Sequence, residues 1–285
     1  MDLSTSIIPI KEKEYRALTQ LIYEKSGINL GDNKHDLLKT RLGKRLRALG
    51  IRSYTDYYNL VVNSPDDGEL MLMINAISTN FTSFFREKQH FDFLDRTVLP
   101  EIVEKKRRAT LRLRAWCAAA ASGEEPYSLA LTLMEFFEGL PAWDVKLLAT
   151  DISTKVLTKA VEGVYEAEKV ATVDPQMRQK YFDVSRSGEE KIFTVKHQVK
   201  ELITFRRLNL MDDQFPFTGP FDFIFCRNVL IYFDPPTQEA VFRKLLRYLC
   251  LDGFLLIGHT ENISPSLREY VKVLAPATYR KIKHL

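Results

Sequence analysis

A chain of 285 residues, 45% hydrophobic and 27% charged, has the balance of a globular protein with room for one large and one smaller domain. A net charge of only +4 taken globally says little about partners, and no apolar run reaches the roughly 18 residues that a membrane span requires. The first nine residues carry neither a basic start nor a long apolar stretch, and Cys117, Cys226 and Cys250 lie far apart without a CxxC pair, so the expectation is a cytoplasmic protein with reduced thiols.

The first eighty residues carry apolar positions at helical spacing, Tyr15, Leu18, Leu21 and Ile22, then Leu38, Leu42, Leu46 and Leu49, with no strand pattern between them. Gly27, Gly31, Gly50 and the cluster at 64–68 punctuate the stretch into about four helices, an N-terminal helical bundle domain over residues 1–78. From Lys34 to Arg52 there are seven basic residues against the single acid Asp36. Arg41, Lys44, Arg45 and Arg47 lie beside the leucine face, a local basic patch suited to one acidic partner surface or simply to solvent.

Residues 79–110 join the two halves. Their start, Thr79, Asn80, Phe81, Thr82, Ser83, Phe84, Phe85, Arg86, is too aromatic for a plain linker and is expected to pack over a ligand. From 111 onward short apolar runs at 111–117, 145–150, 221–226 and 254–258 alternate with helix-like segments, the signature of a doubly wound, mostly parallel sheet. Residues 270–283 read as one further strand returning antiparallel beside the 254–258 run. The rhythm breaks at about 166–204, where a polar turn at 185–190 and an alternating segment at 191–199 predict a small inserted antiparallel β-subdomain.

The first strand runs into Ala118, Ala119, Ala120, Ala121, Ser122, Gly123, and a helix opens with Glu124, Glu125, Pro126, Tyr127. Small residues there let a ligand approach the backbone at the carboxyl end of the sheet, where open α/β folds bind their ligands. The absence of GxGxxG argues against a pyrophosphate-bearing dinucleotide and leaves room for a cofactor without phosphate. Ser122 and Glu125 also have capping-box spacing, so Glu125 serves as helix cap, ligand or both. Asp151, ending the second strand, stands where such folds hold ribose hydroxyls; a helix N-cap is the alternative. Asn209 and Leu210 follow another short run and can cover an aromatic base; a plain loop asparagine is the alternative. Arg227, Asn228 and Tyr232 follow the largely apolar 221–226 strand, an abrupt change to polar residues that marks a site; Tyr232 can face the reacting group or equally be a core aromatic with its hydroxyl at the surface.

These segments, with the closing Gly258, His259, Thr260, Glu261, Asn262, together resemble the chemotaxis receptor methyltransferase family, CheR, over nearly the whole chain. The resemblance implies a Rossmann-like S-adenosylmethionine-dependent methyltransferase domain over 111–285, preceded by the helical domain. It implies a protein-glutamate O-methyltransferase that esterifies glutamates on chemoreceptor signalling helices and leaves S-adenosylhomocysteine. By the matching motifs Asn80, Thr82, Arg86, Glu125, Asp151, Asn209, Leu210, Arg227 and Asn228 would contact the cofactor. Arg86 and Tyr232 are the candidates for orienting the substrate carboxylate, with cofactor binding ranked first for Arg86. Many relatives carry glycine and cysteine in the turn after the first strand, where this chain has alanines. The basic face at Arg41, Lys44, Arg45 and Arg47 would dock on glutamate-rich receptor helices, and the segment at 191–199 would accept a receptor tail as an edge strand.

A glutamate carboxylate, with an ordinary pKa of about 4.3, is already ionised at neutral pH and needs no general base, which fits the lack of a His or Cys catalytic pair. The five histidines, His35, His90, His197, His259 and His284, show no metal-ligand spacing, so no metal is expected. Two other functions fit the same fold: a cofactor-binding adaptor or sensor without turnover, and a nucleic-acid methyltransferase. The latter is suggested by Asp234, Pro235, Pro236, although Thr237 stands where its stacking aromatic belongs.

Overall fold

The computed structural model describes residues 9–65, 67–217 and 219–285. The first eight residues, on which most of the no-leader expectation falls, and Asp66 of the expected turn lie outside them. The chain divides into two compact units. One is the chain up to Thr79 with Tyr232–Asp234; the other is Asn80–Ile231 with Pro235–Leu285.

The first unit holds four helices, α1 (Glu12–Ser26), α2 (His35–Leu49), α3 (Tyr54–Asn63) and α4 (Gly68–Ile77). Gly27 and Gly50 end α1 and α2 at φ 74° and 67°, a backbone conformation that glycine reaches without a Cβ clash. The Ser53 hydroxyl opens α3 by accepting from the Asp56 N–H. Tyr15, Leu18, Leu21 and Ile22 of α1 and Leu38, Leu42 and Leu46 of α2 are all buried. Each such leucine contributes roughly 1.5–3 kcal/mol of burial. Leu49, expected on the same face, is 40% exposed because it is the last residue of α2, beyond the packed turns.

The second unit opens with α5 (Gln89–Phe93), a π turn over Leu94–Val98 and α6 (Leu99–Lys106). Much of the stretch expected to be a linker is therefore helical, and Phe84, Phe91, Leu94, Val98, Leu99 and Ile102 lie in the core of this unit. There follow β1 (Arg112–Ala118), α7 (Glu124–Phe137), β2 (Asp144–Asp151), α8 (Thr154–Glu162), β3 (Val164–Glu166), α9 (Pro175–Tyr181), β4 (Phe182–Ser187), β5 (Glu190–Val195), α10 (His197–Lys200), β6 (Ile203–Arg207), β7 (Phe221–Cys226), α11 (Pro235–Tyr248), β8 (Leu249–Ile257), β9 (Val271–Ala275) and β10 (Thr278–Lys281).

Seven strands form the main sheet in the order β6, β2, β1, β7, β8, β10, β9. β1 pairs in parallel with β2 on one side and β7 on the other, so strand order reverses at β1. All six residues of β7 are buried; five are apolar, as a doubly covered parallel sheet favours, and the sixth, Asp222, pairs with Lys106 Nζ. The single strand expected at 270–283 is instead a hairpin. β10 pairs antiparallel with both β8 and β9, the chain turning at Pro276 and Ala277, the latter at φ 54°.

The inserted subdomain is a separate sheet in the order β3, β5, β4. Its strand from the 191–199 segment, β5, is central, with β3 and β4 bonded to its two sides. An added strand cannot pair there; the edges belong to β3 and β4. Among the described residues no helix is long and apolar enough to cross a membrane.

Candidate active site

The reversal of strand order puts the carboxyl ends of β1, β2 and β7 around one crevice, the place where open α/β sheets bind ligands. The backbone after β1 coils tightly. Ala119 and Ala121 take φ of 63° and 46°, in the left-handed region that costs a residue with a Cβ about 1 kcal/mol. Gly123 follows at φ 101°, where an added Cβ would stand 2.6 Å from the Tyr165 hydroxyl oxygen. The Asp151 carboxylate holds this coil, accepting from the Ala121 N–H at 2.9 Å and the Ser153 N–H at 2.8 Å. Asp151 is not the cap of α8: Ser153 is, its hydroxyl accepting from Val156 N–H. Burial raises the Asp151 carboxyl above its ordinary value, opposed by those backbone donors.

The Ser122 and Glu125 capping box does not form. Gly123 is the N-cap of α7 without a side-chain bond, and Ser122 Oγ donates to Glu124 at 2.7 Å. Glu125 turns inward instead, accepting from Arg227 Nη1 at 2.8 Å and from the Cys117 thiol at 3.5 Å. Burial pushes Cys117 well above its ordinary value, so its thiol keeps the proton it donates. Burial also raises the Glu125 carboxyl, and the Arg227 charge opposes that rise.

Arg227, its side chain 0% exposed, is the hub. Its Nη2 donates to the Arg86 carbonyl at 2.6 Å and pairs with Glu87 at 3.0 Å. Its Cζ lies 5.6 Å from the Phe91 ring centre and 5.8 Å from that of Phe225. Its two terminal nitrogens lie on carboxylates, so the buried charge is paired, while Nε is buried with no hydrogen-bond partner among the described residues.

The segment 80–87 is fastened to the sheet unit at several points. Phe85 N–H donates to Ser128 Oγ at 2.9 Å, Thr172 Oγ1 to the Phe84 carbonyl at 2.9 Å, and Lys169 Nζ to the Thr82 carbonyl at 3.2 Å. Thr82 is buried and Asn80 half-buried. Arg86 Nη1 donates to the Phe81 carbonyl at 3.1 Å, at the rim of the site.

Behind β7, Asn228 sits at φ 56° and gives its side-chain amide to Glu87 at 3.2 Å. Glu261 accepts from the backbone N–H groups of Gly258, Asn228 and Leu230 at 2.6, 3.1 and 2.8 Å. Sequence patterns did not assign Glu87 or Glu261 a task, though both lie within segments that carry the family resemblance. His90 and His259, distant in the chain, have ring centres 4.5 Å apart, and with Glu87 they place ligating atoms within 4.8 Å of one another. Chain spacing could not show that grouping. The Glu87 carboxylate there already bears the Arg227 charge, which disfavours a second cation.

The structure thus brings Arg86, Glu125, Asp151, Arg227 and Asn228 together at the end of the sheet, with Asn80 and Thr82 on the same fastened segment. Leu210 is buried and Asn209 half-buried just past β6, where Asn209 Oδ1 accepts from Met211 N–H at 3.0 Å. Tyr232 belongs to the helical unit, its carbonyl accepting from Asn29 N–H at 2.8 Å. Of the basic face, Arg41 caps α4 through the Ile77 and Ser78 carbonyls at 2.6 and 2.7 Å, and Arg45 grips Glu69 with two nitrogens. Lys44 and Arg47 are exposed. Pro235 and Pro236 fill the first turn of α11, where proline is at home.

Residues 80–279 match the family model for the CheR methyltransferase SAM binding domain, and residues 13–78 match that for the CheR methyltransferase all-alpha domain. The chain belongs to the CheR methyltransferase family. It is an S-adenosylmethionine-dependent methyltransferase. A chemotaxis protein methyltransferase of Borreliella burgdorferi is 40% identical over 96% of both chains. Those of Salmonella typhimurium and Escherichia coli are 40% and 39% identical over 93% of this chain and 89% and 90% of theirs. The residues at the crevice suit the CheR cofactor. A tight small-residue turn beside two buried carboxylates, Glu125 and Asp151, accepts hydroxyls and cationic groups and repels phosphate.

Proposed function

We propose that this protein esterifies glutamate side chains on the cytoplasmic signalling helices of chemoreceptors, working in the cytoplasm. The observation that carries the proposal is the charge arrangement of the crevice. Asp151 accepts from the turn's Ala121 N–H and Glu125 lies in the helix that follows it, while Arg227 is buried and committed to Glu125 and Glu87. Such a site favours a sulfonium donor over a phosphate-bearing one.

Bound S-adenosylmethionine supplies an electrophilic methyl group. The protein has no proton to remove from an ionised glutamate, so its task is to align an oxygen of that carboxylate with the methyl carbon and to exclude water, worth roughly 7 to 11 kcal/mol. Asp151 receives the ribose hydroxyls; Asn80, Thr82, Glu125, Arg227 and Asn228 line the donor; Asn209 and Leu210 cover the adenine. Arg86, at the rim, holds the carboxylate of the donor's methionine, and Tyr232 orients the receptor glutamate. The exposed cations Lys44 and Arg47 meet the acidic receptor helix, and Arg41 and Arg45 hold the helix that presents them. A receptor tail, where one is used, adds beside β4 or β3.

The test is methylation of a receptor signalling fragment against the same fragment with its candidate glutamates replaced by alanine. Label on the first and not the second is expected. Equal labelling of both would refute glutamate as the acceptor.

A further inference from the structure

Glu87 stands at the junction of three segments that reach the crevice separately. Its carboxylate accepts from Arg227 Nη2 at 3.0 Å, from the Asn228 side-chain amide at 3.2 Å and from the His259 backbone N–H at 3.3 Å. The Arg227 charge and the Asn228 bond outweigh burial and hold its carboxyl below the ordinary range, so it is anionic at neutral pH. Two further observations show that this junction is built and not incidental. Glu87 and Asn228 both take left-handed backbone angles, φ 55° and 56°, which for residues with side chains cost of order 1 kcal/mol each and persist only where surrounding contacts enforce them. Gly258 leaves room for the Asn228 amide: a Cβ there would stand 2.7 Å from Asn228 Nδ2.

We propose that Glu87 is a positioning residue for methyl transfer, fixing the Asn228 amide so that it faces the donor in one orientation. The inference rests on the cofactor role proposed above for Asn228. Glu87 touches no reacting atom. It acts because an Asn side chain at the end of a strand turns freely about its terminal torsion, and an anionic acceptor at hydrogen-bond distance selects the rotamer with Nδ2 directed to it. The other face of the amide, its oxygen, is thereby presented to the ligand side.

A swap of the pair tests this. Asn228→Asp sets two carboxylates against each other and is expected to weaken S-adenosylmethionine binding about tenfold in calorimetry. Combining Asn228→Asp with Glu87→Gln restores a hydrogen bond with the donor reversed and keeps one carboxylate beside Arg227, so the double variant folds and recovers affinity to within about threefold of the parent. Glu87→Gln alone is expected to weaken binding while leaving an acceptor for the amide.

A merely structural role predicts losses that add. A double variant that binds no better than Asn228→Asp, or that fails to fold, would overturn the proposal while the parent protein still binds the cofactor and labels receptor. A parent protein that does neither overturns the underlying function as well.

Discussion

The Arg227 guanidinium donates to the Glu125 carboxylate at 2.8 Å although 102 residues separate them in the chain. That bond joins the helix after β1 to the end of β7, and the same side chain reaches Glu87 and the Arg86 carbonyl. Position of the cofactor segment and position of the sheet crevice therefore depend on one buried cation.

Removing that cation leaves two carboxylates without their partner. Arg227→Met is expected to lower unfolding free energy by about 3–5 kcal/mol, the usual cost of breaking a buried pair by deleting one member. Urea denaturation measures it, and calorimetry on the folded fraction is expected to find no cofactor binding. A stability within 1 kcal/mol of the parent, on the order of an exposed pair, would remove Arg227 from its central role.

Asp151→Asn keeps the size and one acceptor oxygen but replaces the other with an amide nitrogen that faces either the Ala121 or the Ser153 N–H donor. The expected outcome is at least a tenfold loss of S-adenosylmethionine affinity, since a hydrogen bond to a charged group contributes about 1.5–3 kcal/mol. Unchanged affinity would show that Asp151 only holds the turn.

Much of this was legible in the chain and some was not, for physical reasons. The largely apolar 221–226 run named a central parallel strand, and the polar residues after it named the site; the one acid inside the strand, Asp222, is buried with Lys106 Nζ paired to it. The capping box failed because its sequence spacing also suits an inward-facing Glu125, and only the arrival of Arg227 from a distant strand decides between them. Glu87, Glu261 and the His90–His259 contact arise from such arrivals too. The tail of the chain looked like one strand because nothing in its composition but Pro276 marks a turn, and the left-handed residue there is an alanine.

His90 carries a pH dependence. Burial first, then the Arg227 charge, depresses its pKa from the ordinary 6.5 to about 4. Between those values the unfolded chain holds a proton that the folded chain refuses, so stability falls as pH drops through that window, by up to about 1.4 kcal/mol per pH unit. Stability of the parent at pH 7 and pH 5, compared with His90→Gln, measures the contribution. The variant is expected to lose less on acidification; equal losses would place the proton elsewhere.

The basic face separates into two pairs. Lys44→Glu with Arg47→Glu is expected to raise the KM for a receptor fragment about tenfold at low salt, less at high salt, with cofactor affinity unchanged. Arg45→Ala, which breaks the grip on Glu69 that Tyr57 shares at 2.8 Å, is expected to destabilise the helical unit by about 1–3 kcal/mol. A receptor KM insensitive to the first pair would move docking to another surface.

The central claim is a carboxylate acceptor, and the linkage in the product reports on it most directly. Purified receptor signalling domain labelled from S-adenosylmethionine carrying a radioactive methyl group is treated with mild base. Release of the label as volatile methanol is the predicted result, because esters hydrolyse where methylated nitrogen does not. Label that stays on the protein through base treatment would contradict the account.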